Sequence, residues 1–295
     1  MEATLGEITA FFTLLFEEGK AASTIRNYRS AIGAIHRGFP GGSKVGDNAD
    51  ITKLIRGFFH SSLSAKRLFP TWSLDEVLTA LAKPPYEPIR ESSLQDLTRK
   101  TLFLLAAASA RRRSGIHALT IKKDFLRFDN DGVRLLPDPA FLAKNQSMTF
   151  SPEEIFLPAI GSVSTINEDR RWCPVRALRI YLDKTKLIRT SDRLFILPRA
   201  PHTPASKDTL ARWLRTIISS HTTDPSVIRA HDVRGVAASR AWFNGIPVEA
   251  IMKAAAWKTN TTFVSCYLRN TRTPDGDFAR AVLNPPRCGT WAHHQ

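Results

Sequence analysis

The stretch that decides the fold is residues 230–270, AHDVRGVAASRAWFNGIPVEAIMKAAAWKTNTTFVSCYLRN. His231 and Arg234 stand three residues apart, so one helical face carries an imidazole and a guanidinium, and both groups can face a phosphate. Trp257 follows 23 residues after Arg234, and Tyr267 follows ten residues after Trp257. A single His-x-x-Arg pair also arises by chance in a chain this basic, so its weight depends on its surroundings. Apolar periodicity predicts three helices in this stretch, 230–244, 247–256 and 260–270, and a fourth just before it at 206–220.

A second informative stretch lies upstream, where residues 93–110 (SLQDLTRKTLFLLAAASA) form an apolar run that predicts a helix in the core. Three consecutive arginines, Arg111, Arg112 and Arg113, follow it at the point where the chain leaves that core. A guanidinium presents a planar fork that matches the oxygens of a phosphate. A solvated helix end is the alternative interpretation for each of these arginines.

The charge balance of the chain favours a polyanionic partner. The 295 residues include 42 Lys and Arg against 27 Asp and Glu, a net charge of +15. Such an excess suits nucleic acid or an anionic membrane surface. No apolar run approaches the ~18 residues of a membrane span, so we expect no membrane partner.

The cysteines and the missing motifs exclude several other classes of protein. Only Cys173, Cys266 and Cys288 occur, without a CxxC motif, which argues against a disulfide scaffold or a cysteine-rich zinc module and favours an intracellular protein. The sequence lacks the P-loop, dinucleotide-binding and zinc-protease motifs. We therefore expect no cofactor and no metal site.

The chain divides into a small helical domain at residues 1–65, a linker at 66–72 that contains Pro70, and a larger domain at 73–295. In the first domain the apolar spacing predicts three helices, the second of them capped by Ser23 or Thr24. In the second domain, short strands are predicted between helices. The expected fold class is mainly α with a small antiparallel sheet. The predicted strand regions are 119–121, 125–136 with a turn at 129–132, and 155–158; residues 193–196 are predicted as a short strand or an extended segment.

Taken together, these residues resemble the tyrosine recombinases, the phage-integrase-like family of site-specific recombinases. The stretch 230–270 resembles one conserved box of that family, and residues 108–121, ASARRRSGIHALTI, resemble its first-arginine box. Three further segments are most similar to recombinases of eukaryotic mobile elements of the DIRS and Crypton kind. These are TLGEITAFFTLLFEEGKAASTIRNYRSAIGAIH at 4–36, LIRGFF at 54–59 and WCPVRALRIYL at 172–182.

The resemblance implies a catalytic set. Leu119 sets the register so that Arg112 matches the family's first arginine, and Gly115 replaces a glutamate that many members have. Tyr267 is implied to be the nucleophile that forms a 3′-phosphotyrosyl link. The hairpin lysine that acts as general acid is best matched by Lys144, with Lys122 or Lys123 as alternatives. The implied catalytic residues are Tyr267, Arg112, Arg234, His231, Trp257 and Lys144.

The resemblance also implies partners and an architecture. The family grips double-stranded DNA between a helical core-binding domain and a catalytic domain, and its members act as dimers to tetramers that exchange a C-terminal segment. Residues 271–295 are the candidate for that segment here. We expect a nuclear protein of a transposable element. The candidate DNA-contacting residues are Lys20, Arg26, Arg29, Arg111 and Arg113.

Two other functions remain open at this point. A type IB topoisomerase-like enzyme uses nearly the same catalytic groups but relaxes supercoiled DNA, and the integrase-like helical domain favours recombination over it. A non-catalytic, domesticated DNA-binding protein is the second alternative. Arg112, His231, Arg234, Trp257 and Tyr267 argue against it together, because loss of function usually removes some of them.

Overall fold

The computed structural model divides the chain into two compact units, Met1–Arg67 and Leu68–Gln295, and each is described by itself. Residues 167–169 are described at the level of the backbone only. None of the helices in the described part of the chain is both long and apolar enough to cross a membrane. The structure describes residues 2–62, 72–141, 154–160, 167–222 and 228–257, together with Thr259, Phe263 and Leu268.

The smaller unit contains three helices, α1 (Leu5–Glu17), α2 (Ala22–Ile35) and α3 (Ala49–Ser61). Thr4 begins α1 with a capping box, in which its hydroxyl accepts from the Glu7 N–H while the Glu7 carboxylate accepts from the Thr4 N–H. The apolar stripes of the three helices face each other and form one core. Its buried members are Ile8, Phe12, Leu15, Ala22, Ile25, Val45, Ile51, Ile55 and Phe58.

The start of α2 differs from the sequence prediction. The N-cap is Ala21, which makes no side-chain cap hydrogen bond, so the prediction of Ser23 or Thr24 as the cap is wrong. The backbone turns at Gly19, whose φ of +80° favours glycine. That turn brings Ala22 into the core, where it is 3% exposed, and the helix therefore begins before the polar residues.

The larger unit is built around α5, a helix that is buried on most of its surface. Its side chains pack against α7, α8 and α9, which explains why the run of leucines and alanines along it has little polar interruption. Ser93 caps α5 by accepting from the Asp96 N–H. The helices of this unit are α4 (Leu74–Leu81), α5 (Leu94–Ser109), α6 (Arg113–His117), α7 (Pro174–Thr185), α8 (Lys207–Ser219), α9 (Asp232–Phe243) and α10 (Val248–Ala255), with a 3₁₀ helix at Asn167–Trp172.

A three-stranded antiparallel sheet completes the larger unit, in the order β1 (Leu126–Phe128), β2 (Gly132–Leu135) and β3 (Ile155–Pro158). Its first two strands match the predicted hairpin. Gly132 pairs with Pro158, and a Cβ at this position would lie 2.3 Å from the Leu157 carbonyl oxygen, so only glycine fits. The predicted segment 193–196 forms isolated bridges from Arg193 and Ile196 and no regular strand.

A buried ion cluster ties α5 to α7. The Lys100 Nζ is fully buried and donates to the Glu87 Oε1 at 2.5 Å and to the Leu81 carbonyl at 2.8 Å. Arg176 donates to both oxygens of Glu87, at 2.7 and 3.1 Å. Burial raises the pKa of Glu87, but these hydrogen bonds outweigh it and hold that pKa below its usual value. Glu87 therefore pairs with two cations at once.

Candidate active site

The larger unit contains a cavity of about 420 Å³ whose charged lining is dominated by arginines. The lining comes from three separate parts of the chain: the segment after α5, the helix α8, and the turn that leads into α9. Apolar side chains of α5, α6 and α8 form part of its wall. The charged and titratable residues that line it are Arg111, Arg113, Asp208, Arg215, Arg229, His231 and Arg234.

The arginine segment enters the cavity through a left-handed turn. Ala110 ends α5 with φ of 48°, a conformation that a non-glycine residue adopts at a cost of roughly 1–3 kcal/mol. The Arg111 N–H donates to the Ser109 Oγ at 3.3 Å, and the Arg111 Nη2 donates to the Glu154 carbonyl at 3.3 Å. The turn thereby redirects the chain, and Arg111 is buried against β3 while it lines the cavity.

The turn before α9 is closed by Asp232. Its carboxylate accepts from the Arg229 N–H at 2.9 Å, while the Asp232 N–H donates to the Arg229 carbonyl at 2.9 Å. His231 is the N-cap of α9, and Arg234 lies in its first turn. The predicted helical spacing of His231 and Arg234 is therefore present at the start of this helix, and both side chains line the cavity.

Arg234 is held in place by the C-terminal end of α10. It is 3% exposed, its Nη2 donates to the Ala255 carbonyl at 2.6 Å, and its guanidinium lies 4.6 Å from the centre of the Trp257 ring. The Trp257 ring stacks on Phe263 at 5.5 Å. Ala256 ends α10 in the left-handed region with φ of 49° and directs Trp257 inward. A cation–π contact of this kind contributes about 0.5–2 kcal/mol and fixes the plane of the guanidinium.

The mouth of the cavity contains an ion pair. The Arg113 Nη1 donates to the Asp208 Oδ1 at 3.0 Å, and both side chains are largely exposed. Asp208 lies in the first turn of α8, which Ser206 caps by accepting from the Thr209 N–H. An exposed pair of this kind contributes little to stability, about 0–1 kcal/mol. The pair instead affects the charge of the cavity, because the Asp208 carboxylate offsets the charge of Arg113.

The electrostatics of the cavity keep His231 neutral near pH 7. Partial desolvation by the surrounding protein lowers the pKa of His231, and the guanidinium groups of Arg234 and Arg112 lower it further. Asp232 opposes this shift only weakly. The imidazole is solvent accessible and has a lowered pKa, so it can accept a proton from a bound group.

The predicted catalytic residues are placed as follows. His231 and Arg234 line the cavity. Arg112 and Trp257 are not among its described lining residues: the Arg112 guanidinium lowers the pKa of His231, and the Trp257 ring lies against the Arg234 guanidinium. Tyr267 and Lys144 lie outside the described residues, as does the tail 271–295. The alternative lysines Lys122 and Lys123 are exposed just before β1.

The candidate DNA-contacting residues of the smaller unit have different surroundings. Lys20 is exposed, and Arg26 is exposed with its guanidinium 5.6 Å from the Phe59 ring centre. Arg29 donates to the Gly46 carbonyl and so braces the loop between α2 and α3. Of the three, Lys20 and Arg26 are the more accessible to a partner.

Three charged residues of the cavity were not predicted from the sequence: Asp208, Arg215 and Arg229. Arg215 lies in a predicted helix and Arg229 lies two residues before His231, but nothing distinguishes them from other surface arginines. Only the packing of α8 beside the α9 turn identifies them. Within the described part of the chain, no group of three or more His, Cys, Asp or Glu side chains is arranged to hold a metal ion.

Comparison with known proteins supports the fold. No protein-family model matches the sequence, and no curated protein matches it either. A solved structure of the XerH site-specific recombinase bound to a palindromic difH substrate, in a post-cleavage complex, matches with a TM-score of 0.58 and 14% identity, over 88% of this chain and 67% of that chain. The Tn1549 transposon integrase in complex with circular intermediate DNA matches with a TM-score of 0.52 and 14% identity, over 95% and 85%.

At these identities the likeness concerns the fold alone. The chain has the fold of tyrosine recombinase catalytic domains, mostly helical with a small three-stranded antiparallel sheet. The predicted fold class is thereby confirmed.

Proposed function

We propose that this chain is a tyrosine recombinase, which cleaves and rejoins DNA at specific sites through a 3′-phosphotyrosyl intermediate without metal or ATP. The observation that carries the proposal is the convergence of guanidinium groups from three distant segments on one cavity, which His231 also lines. This arrangement suits a phosphodiester, whose charge rises on the non-bridging oxygens as phosphorus becomes five-coordinate. It occurs within the fold of tyrosine recombinase catalytic domains.

In the proposed cleavage step, the Tyr267 phenolic oxygen attacks phosphorus and the bond from phosphorus to the 5′-oxygen breaks. His231 takes the phenolic proton, which its lowered pKa permits near pH 7. The general acid, Lys144 by preference, gives a proton to the departing 5′-oxygen. Arg234 and Arg112 stabilise the charge on the phosphate.

Rejoining is the reverse reaction with a different strand. The 5′-hydroxyl of a partner strand gives its proton to the lysine and attacks the phosphotyrosyl phosphorus. The bond from phosphorus to the Tyr267 oxygen breaks, and His231 returns the proton to that oxygen. Each step exchanges one phosphate ester for another, so the bond energy is retained and no nucleotide hydrolysis is required. Trp257 acts in this scheme as a positioning residue, since its ring holds the Arg234 guanidinium.

The proposal extends to the rest of the chain. The smaller unit would contact DNA through the exposed cations Lys20 and Arg26, and the net charge of +15 supports that role. We further propose assembly of two to four copies on DNA, with residues 271–295 exchanged between copies. The similarity of three sequence segments to DIRS and Crypton recombinases supports action in the nucleus, as part of a transposable element.

The decisive experiment traps the covalent intermediate. Because the target sequence is unknown, the protein is incubated with a pool of nicked duplexes of random sequence. After cleavage next to a nick, the short strand piece that carries the 5′-hydroxyl dissociates, so rejoining is prevented and the covalent intermediate accumulates. We expect adducts that survive denaturation and map to Tyr267 by mass spectrometry. Tyr267→Phe should abolish them and leave DNA binding nearly intact, while Tyr28→Phe, at an exposed tyrosine of the smaller unit, should retain them.

Adducts that persist in Tyr267→Phe would reassign the nucleophile, and their absence from the unaltered protein would refute the proposed function. The sequences recovered from trapped duplexes then supply the target. Paired targets on one plasmid distinguish recombination, which yields rearranged products, from topoisomerase activity, which yields only relaxed circles.

A further inference from the structure

The cavity carries more positive charge than a single phosphodiester needs. Arg111 and Arg234 are buried at 8% and 3% exposure, and Arg234 is fixed by Ala255 and Trp257. Arg215 and Arg229 line the same cavity but are exposed. The lining therefore has a buried cationic part and an exposed cationic part, while one phosphodiester brings a single negative charge.

The exposed part lacks a carboxylate to balance it. Arg113 pairs with Asp208 at 3.0 Å, whereas neither Arg215 nor Arg229 forms an ion pair with a carboxylate among the described residues. Like charges on one cavity repel each other, and the repulsion is relieved when an anion binds between them. An anionic ligand at this end of the cavity is thus favoured by the charges alone.

The cavity also has room for more than one phosphate group. Its volume of about 420 Å³ falls in the range of about 300–1,000 Å³ that pockets for small molecules occupy. Successive phosphates of one DNA strand recur at intervals of about 3.4 Å along the helix axis. A strand that places one phosphate at Arg234 therefore brings the neighbouring phosphate to the same region of the protein.

We propose that Arg215 and Arg229 form a second phosphate site, which holds the phosphate adjacent to the cleaved one on the same strand. The proposal rests on the proposed function, because that function defines which phosphate is cleaved. Both residues have firm supports: α8 is anchored by its buried neighbours Leu214 and Ile218, and the Arg229 backbone is held by Asp232. A fixed neighbouring phosphate would set which phosphodiester faces His231.

The first test measures how DNA affinity depends on salt. Each phosphate that a cation neutralises adds about 0.9 to the slope of log affinity against log salt concentration. With a fluorescent 30-base-pair duplex selected by adduct trapping, we expect Arg215→Gln and Arg229→Gln each to reduce the slope by about 0.9, and the double variant by about 1.8. Arg215→Lys should retain most of the slope, because it keeps the charge.

Arg212→Gln is the matched control, since Arg212 is exposed on the same helix but does not line the cavity. Arg212→Gln should leave the contribution of Arg215 and Arg229 to the salt slope unchanged. A second measurement uses a duplex with a neutral methylphosphonate beside the trapped phosphodiester. The unaltered protein should bind this duplex more weakly than normal DNA. The double variant should bind the two duplexes equally well.

The outcomes separate the two proposals. If the double variant keeps the slope of the unaltered protein, or still responds to the methylphosphonate, the second phosphate site is refuted even when adducts form. If the unaltered protein forms no adducts with the random pool, the recombinase proposal fails. In that case the same slopes, measured on a duplex of arbitrary sequence, still report whether Arg215 and Arg229 bind phosphate. Thermal unfolding of each variant verifies that it is folded.

Discussion

Two groups of cationic side chains in the larger unit differ in what balances them. Lys100 and Arg176 share the carboxylate of Glu87, and Lys100 has no exposed surface. Among the described residues, the lining of the cavity has five arginines and one carboxylate, Asp208. Each cation of the first group is hydrogen-bonded to a carboxylate of the protein, whereas the second group is left with excess charge facing solvent.

This difference separates a structural use of cations from a functional one. A buried charge without a partner is expensive, so a cation inside a fold is paired or neutralised. Excess charge on an open cavity is tolerated because water and salt screen it, and it becomes useful when an anion displaces that water. The comparison yields four predictions besides those above.

The largest expected effect concerns stability and tests whether the first group depends on its carboxylate. Glu87→Gln removes the charge that balances Lys100 and Arg176, and we expect the free energy of unfolding to fall by about 3–5 kcal/mol. Urea unfolding measures it, with Glu91→Gln, at an exposed neighbouring carboxylate, as the control. Lys100→Met added to Glu87→Gln should recover much of the loss. A change below 1 kcal/mol would mean that this cluster is not structural.

The next effect concerns the rate of cleavage and tests the second group. Arg234→Lys keeps one positive charge but loses the fork that spans two phosphate oxygens and the plane that stacks on Trp257. We expect single-turnover adduct formation to slow by roughly 10²-fold, in the range for loss of one oxyanion donor. Arg112→Lys tests the arginine beside His231 in the same way. Arg179→Lys, whose guanidinium lies over the Phe128 ring, is the control. A rate within threefold of the unaltered protein would remove Arg234 from the proposed mechanism.

The smallest effect is a pH dependence that originates at His231. Desolvation and the nearby guanidinium groups of Arg234 and Arg112 lower its pKa from 6.5 in the free protein. A bound phosphate favours the protonated ring and raises that pKa, so binding takes up a proton. We expect DNA affinity to increase a few-fold as pH falls below about 6.5, and His231→Asn to remove this increase. Fluorescence anisotropy at fixed salt measures both.

The same lowered pKa makes the folding stability of the free protein decrease as pH falls, whereas the DNA affinity increases. The unfolded chain binds a proton at His231 more readily than the folded chain, so this group contributes stability above about pH 6.5 that is lost as pH falls through the lowered value. Thermal unfolding of the unaltered protein and of His231→Asn across this range provides the check. A parallel loss of stability in both would assign the effect to other groups.

Local patterns in the sequence predicted much of the fold. The leucine-rich run predicted α5, and alternating strands around a polar turn predicted β1 and β2, because periodicity and turn chemistry act over a few residues. Those patterns failed at the start of α2, where packing of Ala22 into the core overrode the hydroxyls of Ser23 and Thr24. They left Arg193–Ile196 open between a short strand and an extended segment, and the structure gives it isolated bridges only.

The candidate site was predicted in part. The His-x-x-Arg spacing and the resemblance to recombinases pointed to His231 and Arg234, which the cavity brings together. The same reasoning could not identify Arg215 and Arg229, because 42 basic residues along a chain carry no signal of which ones meet. It also did not indicate that Trp257 supports Arg234.

The sequence by itself determined most of the described helices, the hairpin, the basic character and the segments that carry catalytic residue types. Each of these depends on composition or on neighbours within one or two turns. The tertiary structure alone decided which cations share a carboxylate and which share a cavity. Pairing and desolvation depend on distances between segments that are remote along the chain, and those distances are set by how α5, α8 and α9 pack.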